Sequence, residues 1–290
     1  MTTADILMEN ARRLAAIHAP YDPIEGDPED PERVEYSVKG LQGGKIWIPK
    51  AMLAEPMIRA LEISGSVDSY ITDVLGMTPT DESRLHVERR FIRCRILHDF
   101  PYWAASFVYI KPKGGGADTL FTLNRPQRRL VATLEAMRRE SKPIRLIVLK
   151  ARQWGGSTCV QLYMAWLQMV HAVGLNSLII AHQGIATDEI KDMFDRMLAN
   201  YPDWLLTDEG EAPPKGRRME NAGEAKGAFR VVSRNCKVKL GSAERPDSCR
   251  GGDYNLVHCS EVGIWRATRL RTPEQIMRAA CSGVLFKPLT

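Results

Sequence analysis

Apolar positions recur every three or four residues over 4–17, 126–140 and 157–173. A further stretch begins near Thr187, where Ile190, Met193, Phe194, Met197 and Leu198 fall at i, i+3, i+4, i+7 and i+8. Such spacing turns one stripe of each segment toward a core and predicts helices, with Thr187 as the N-cap of the last. Residues 34–49 predict a hairpin turning at Gly43-Gly44, with Ile46, Trp47 and Ile48 on its second arm. Three helical patterns follow it, the last from Thr80 to His98, where Leu85, Val87, Phe91, Ile92 and Leu97 form a packed face and the arginines between them a basic one. That basic face reads either as solvated or as a nucleic-acid contact.

After residue 118 the pattern changes. Short apolar runs at 144–149, Ser177–Ala181, Phe229–Ser233, Lys237–Leu240 and Asn255–Cys259 predict strands. Their alternation with helices predicts an α/β fold with a mostly parallel central sheet. The aromatic run and the lysine- and glycine-rich linker over 100–118 place a boundary between an α-rich mixed subdomain, 1–115, and an α/β domain, 116–290. Residues 207–227, rich in charge, proline and glycine, predict an exposed loop carrying Lys215, Arg217 and Arg218.

With 44% hydrophobic and 26% charged residues, the chain has the composition of a globular protein and not of a disordered one. A net charge of +5 mildly favours a polyanionic partner without requiring one. Six scattered cysteines with no C-x-x-C pair predict reduced thiols in a cytoplasmic setting; zinc held by Cys236, Cys249, His258 and Cys259 is the alternative. Asp5 and Glu9 argue against a signal peptide. The longest apolar segment, Cys159 to Val173, is interrupted by Gln161, Gln168 and His171 and falls short of the ~20 residues a bilayer needs, so it predicts a core helix and no membrane association.

The candidate chemistry begins at IVLKARQWGGSTCVQ, residues 147–161. An apolar strand, a turn at Gly155-Gly156 and a helix from Ser157 would aim backbone N–H groups and the positive end of a helix at one spot, where glycine lets a phosphate approach. Laid on the pattern G-x-x-x-x-G-K-[ST], the segment puts Lys150 first and Gly156 where lysine is expected, so Lys150 and Arg152 become the candidate cations. The backbone of Arg152, Gln153, Trp154, Gly155, Gly156 and Ser157 would cradle phosphates, and the hydroxyl of Ser157 or Thr158 would complete a magnesium shell. A tight turn with no ligand is the plainer reading.

Nucleotide hydrolysis also needs a group that orients water, usually at the end of a neighbouring strand. Leu256-Val257-His258-Cys259-Ser260-Glu261 offers Glu261 as that carboxylate, with Ser260 where a magnesium-binding aspartate is expected. Taken alone, Glu261 also reads as a helix-start or surface residue. Arg245 or Arg250 could reach a transferring phosphate or only pin their loop. Gln127 is a candidate adenine reader, or merely exposed.

At L-N-R-P-Q (123–127), K-A-R-Q-W-G-G-S-T (150–158), S-A-x-R-P-D-x-x-R-G (242–251) and H-C-S-E (258–261) the chain resembles the ATPase domain of the large terminase subunit of tailed bacteriophages. The resemblance covers about residues 100–290. It implies an additional-strand phosphate-loop NTPase that uses ATP and Mg2+ to drive double-stranded DNA into a prohead in the host cytoplasm. Its implied partners are a portal protein, a small terminase subunit and further copies of itself in a ring. Lys150 would stand for the family's first-position loop lysine, and Ser260 departs from its usual aspartate. A coupling motif and a nuclease domain are expected beyond Thr290. The rivals are another nucleic-acid motor, such as a helicase, and a non-hydrolysing scaffold that binds DNA or a portal protein.

Overall fold

The computed structural model describes residues 2–17, 22–41, 43–112, 114–151, 154–182, 185–212, 215–222, 227–249, 252–267, 269, 272–282 and 284. Of residues 13, 15–17, 185–187, 246 and 247 it describes the backbone alone. The chain divides into two compact units, one of residues 1–106 with 121–124, the other of 107–120 with 125–290. The boundary near residue 115 read from the linker thus falls within the second unit.

The first unit starts with α1 (Thr3–Ile17) and a hairpin of β1 (Arg33–Ser37) and β2 (Lys45–Pro49), paired antiparallel from Arg33↔Pro49 to Ser37↔Lys45. A 3-10 turn (Lys50–Ala54) leads to α2 (Pro56–Ser64), then to α3 (Val67–Ser69), which widens into a π turn (Tyr70–Val74). Next come α4 (Asp81–His98) and α5 (Phe100–Phe107). Thr80 caps α4 in a reciprocal box with Ser83, which settles two backbone donors the helix cannot satisfy itself. Ile48, Met52, Ile58, Leu61, Ile71 and Val87 form the fully buried centre of one core. Beside it, Asp99 accepts from both terminal nitrogens of Arg33 at 2.9 and 2.7 Å and from Arg95 Nε at 3.3 Å. Burial alone would push its carboxyl up, but the charges and hydrogen bonds of Arg33, then Arg95, hold it below the usual carboxylate range.

The second unit opens with the two-residue strands β3 (Tyr109–Ile110) and β4 (Thr119–Leu120), then α6 (Arg125–Arg139), α7 (Gly156–Trp166) and a π turn (Leu167–His171). It continues through β5 (Ser177–Ala181), α8 (Ile185–Asn200), β6 (Met219–Asn221), β7 (Ala228–Val231), β8 (Cys236–Ser242), β9 (Leu256–Cys259) and α9 (Pro273–Cys281). The sheet order is β6-β7-β8-β5-β9. One sheet face carries Leu178 and Ile180 beneath Cys249, Tyr254, Trp265, Ile276 and Ala280. On the opposite face Phe229 meets Phe194 of α8, ring centroids 5.1 Å apart. α8 begins before Thr187, which lies inside it and is not its cap.

Two expectations change here. The sheet is mixed: β5 pairs parallel with β8 and β9, while β6–β7 and β7–β8 are antiparallel. The turn between Val231 and Cys236 is too short for the crossover that parallel strands require, and Asn235 turns it with φ 49°. The run 144–149 forms no strand, and Ile147 and Leu149 are 99% and 101% exposed. A strand exists only where a neighbour takes its backbone N–H and C=O groups. β5 is paired on both sides, by β8 and β9; among the described residues the outer side of β9 has no strand beside it in the sheet order, and 144–149 does not join it. Apolar composition signalled burial but could not supply a partner.

Candidate functional site

The proposed loop ends at Gly155, which caps α7 in the left-handed region (φ 77°, ψ 20°). A side chain there would be strained in conformation, and its Cβ would lie 2.7 Å from Gln127 Nε2. That same nitrogen donates to the carbonyls of Trp154 (3.2 Å) and Gly155 (3.1 Å). Gln127 is 3% exposed. The expected adenine reader therefore holds the loop from beneath, with its amide on the backbone of the turn.

Gly156, at the position where the motif expects lysine, has a steric reason to lack a side chain. A Cβ there would stand 2.5 Å from Trp154 Cζ2 and 2.7 Å from Cε2. The indole of Trp154 lies against the first residue of α7 and fills that slot. Nothing in a one-dimensional motif signals this, because it depends on how the ring folds back across the turn.

The two halves of the chemistry come together at Ser157 and Ser260, whose hydroxyl oxygens are 3.2 Å apart across 103 residues of chain. Ser260 is placed by its N–H, which donates to the Ile180 carbonyl at 2.8 Å and extends the parallel ladder past β9. Its own carbonyl accepts from Trp265 Nε1 at 2.9 Å. Glu261 then turns left-handed (φ 54°, ψ 39°) and is exposed. For a residue with a Cβ that conformation costs of order 1 kcal/mol, and such outliers concentrate at functional sites. Two hydroxyls at this separation fit neighbouring positions in a magnesium shell, whose oxygens stand about 2.0–2.1 Å from the ion.

His258, two residues before Ser260 on β9, is a site residue that the sequence suggests only through the zinc alternative. Its Nδ1 is buried without a hydrogen-bond partner among the described residues. Burial, reinforced by the charge of Lys150, pushes its pKa down to about 4. The ring is neutral at physiological pH, and the charge of Lys150 reaches the end of β9. Lys150 itself is exposed, as is Arg245. Thr158 is half-buried in the first turn of α7. Arg152, Gln153 and Arg250 lie outside the described residues.

Other expected chemistry goes elsewhere. Arg218 donates to the carbonyls of Leu198 and Tyr201 beyond α8 and pairs with Asp203, so it closes a helix end; Lys215 and Arg217 remain exposed. For the zinc alternative, no three His, Cys, Asp or Glu residues among the described ones are grouped to hold a metal. Cys236 instead approaches the carbonyls of Gln168 and Arg234. Among the described residues no helix is long and apolar enough to cross a membrane. Compared with models of known protein families and with curated proteins, the chain matches none.

Proposed function

We propose that this chain is the ATPase portion of a DNA-packaging motor of the large-terminase type, an additional-strand phosphate-loop enzyme. The observation that carries the reading is the 3.2 Å approach of Ser157 and Ser260, which brings the glycine-started helix to the end of β9, one residue before Glu261. The positive N-terminus of α7 attracts the nucleotide phosphates. Lys150 adds a point charge from the loop's first position, and Arg152 contributes a second cation. Ser157 and Ser260 would hold Mg2+, which would supply positive charge against the phosphates. Glu261, next in sequence to Ser260, orients the attacking water. On this reading the working form is a ring on a portal protein in the host cytoplasm, assisted by a small terminase subunit and acting on double-stranded DNA.

Glu261→Gln tests it, because the amide keeps the shape and removes the base. ATP binding is expected to persist while turnover falls by about 10²–10⁴, measured by nucleotide affinity and phosphate release with DNA present. Undiminished turnover overturns the assignment. The scaffold reading draws support from the exposed apolar side chains of Leu146, Ile147, Val148 and Leu149 just before the loop; it is favoured if neither the wild-type chain nor the variant turns over bound ATP.

A further inference from the structure

The six cysteines are scattered along the sequence and all are free thiols, yet the fold brings two of them together on one face of the sheet. In the β5–β9 ladder Val257 stands opposite Leu178 and Cys259 opposite Ile180. Val257 and Cys259 therefore project on the face that Leu178 and Ile180 give to the apolar cluster shared with α9. α9 packs against β9. Along α9, Met277 and Cys281 are one turn apart on a single stripe, and both join the same cluster. Strand alternation and helix period thus aim Cys259 and Cys281 into one interface from opposite sides, and their side chains hydrogen-bond.

The pair differs from the other cysteines of this unit. Cys159, Cys236 and Cys249 are buried, whereas Cys259 and Cys281 are only partly so and remain open to a small reagent. Cys249, in the same cluster, is 1% exposed, approaches the Ser242 carbonyl and the Ser248 hydroxyl, and has its pKa raised by burial, which makes it a poor nucleophile. At Cys281 the hydrogen bond from Cys259 outweighs burial and holds the thiol below the usual thiol range. A thiolate is the attacking species in disulfide exchange. The position also matters: Cys259 ends β9, and the next carbonyl, that of Ser260, accepts from Trp265 Nε1, whose ring lies in the cluster with Ile276 and Ala280 of α9.

We infer that Cys259 and Cys281 form a modification site, a thiol pair that a low-molecular-weight disulfide of the glutathione type converts reversibly into a bridge fastening α9 to the end of β9. The Cys281 thiolate attacks one sulfur of the small disulfide, breaks its S–S bond and releases one small thiolate. Cys259 then gives up its proton and attacks the Cys281 sulfur of the mixed disulfide, releasing the second. The two protein thiols lose two electrons and two protons, and the small disulfide takes up both to become two thiols. Excess small thiol reverses the exchange, so a reducing compartment keeps the pair open. The chemistry is independent of the nucleotide reading; the bridge bears on that reading only because it ends beside Ser260.

The full chain is treated with oxidised glutathione under native conditions, alkylated, and read by intact mass and by peptide mapping without reduction. The expected product is a chain lighter by two hydrogens, bridged between Cys259 and Cys281 and reopened by dithiothreitol. Amide exchange at Ser260 and Trp265 should slow at least about threefold on oxidation, since the bridge opposes local opening of the strand end. Cys281→Ser should form no bridge and show no slowing, and Cys249→Ser should behave as the wild type. Should Cys281→Ser fail to fold, the map and exchange of the wild type decide. A bridge through Cys249, a mixed disulfide that persists at Cys281, no oxidation at all, or a Cys259–Cys281 bridge that leaves exchange unchanged overturns the inference. ATP affinity is measured on both forms: a chain that bridges yet binds no nucleotide in either form keeps the modification site and sinks the motor reading.

Discussion

The two units differ in the sign of their charge, although each buries a carboxylate among arginines, Glu135 of the second being paired with Arg138 and Arg139. Residues 1–106 with 121–124 carry 12 Lys and Arg against 17 Asp and Glu, and their central carboxylate, Asp99, is enclosed by Arg33 and Arg95. The second unit carries 28 Lys and Arg against 18 Asp and Glu. In it the Nδ1 of a half-buried neutral imidazole, His258, is enclosed without a hydrogen-bond partner among the described residues. Closed networks fix a structure; incomplete ones leave interactions for a ligand to make.

Breaking the closed network should produce the largest change in stability. Asp99→Ala leaves two arginines buried without their carboxylate, a cost of about 3–5 kcal/mol by the behaviour of broken buried pairs. Denaturant unfolding should show it, and amides of β1 and β2 should lose exchange protection first. The pH dependence has a defined sign. Because the folded-state pKa of Asp99 lies below its ordinary value of 3.8, the unfolded chain takes up the proton first as acid is added. Its stabilisation is complete above that value and drains away below it. Stability of the wild-type chain indifferent to acid below that ordinary value would show that the pair is not what holds the first unit.

The second unit should be most sensitive at the loop itself. Gly156→Ala forces a Cβ against the Trp154 ring at 2.5 Å. Overpacking of this kind costs about 1–3 kcal/mol, and nucleotide affinity should fall as the turn shifts. Trp154→Ala in the same background vacates the slot and should recover part of the stability. Gly156→Lys, which restores the commoner motif on paper, should be worse than Gly156→Ala, because its first carbon meets the same ring. Tight nucleotide binding by Gly156→Lys alone would mean that the indole moves freely out of the way.

Local signals were legible in the sequence and non-local ones were not. Alternating residues and paired glycines placed the β1–β2 hairpin, and Thr80 marked the start of α4 because a cap depends only on residues three positions apart. The bounds of β5 were read directly from an uninterrupted apolar run. For 144–149 the same signal misled, since composition cannot report whether a run will join a sheet edge. Arg218 looked like a surface cation because the helix end it closes lies about twenty residues away along the chain. At the site, Ser157 and Ser260 were legible as candidates, but only the fold could bring their hydroxyls to 3.2 Å. The role of Gln127 was missed for the same reason: a buried amide and an exposed one have identical letters.

The smallest effects give the sharpest comparison, because each unit contains a capping box of the same design. In the first, Ser83 N–H donates to Thr80 Oγ1 at 3.2 Å and Thr80 N–H to Ser83 Oγ at 2.8 Å, both partly buried. In the second, Gln275 N–H donates to Thr272 Oγ1 at 3.4 Å and Thr272 N–H to Gln275 Oε1 at 3.1 Å, both exposed. Removing a threonine cap costs about 0.5–2 kcal/mol. Water replaces the missing acceptor readily at an exposed helix end and poorly at a partly buried one. Thr80→Ala should therefore fall in the upper part of that range and Thr272→Ala in the lower. Amide exchange at the first turns of α4 and α9 measures both in one experiment. Equal effects would mean that burial does not set the worth of a cap here, and that the shorter bonds at Thr80 contribute no more than the longer ones at Thr272.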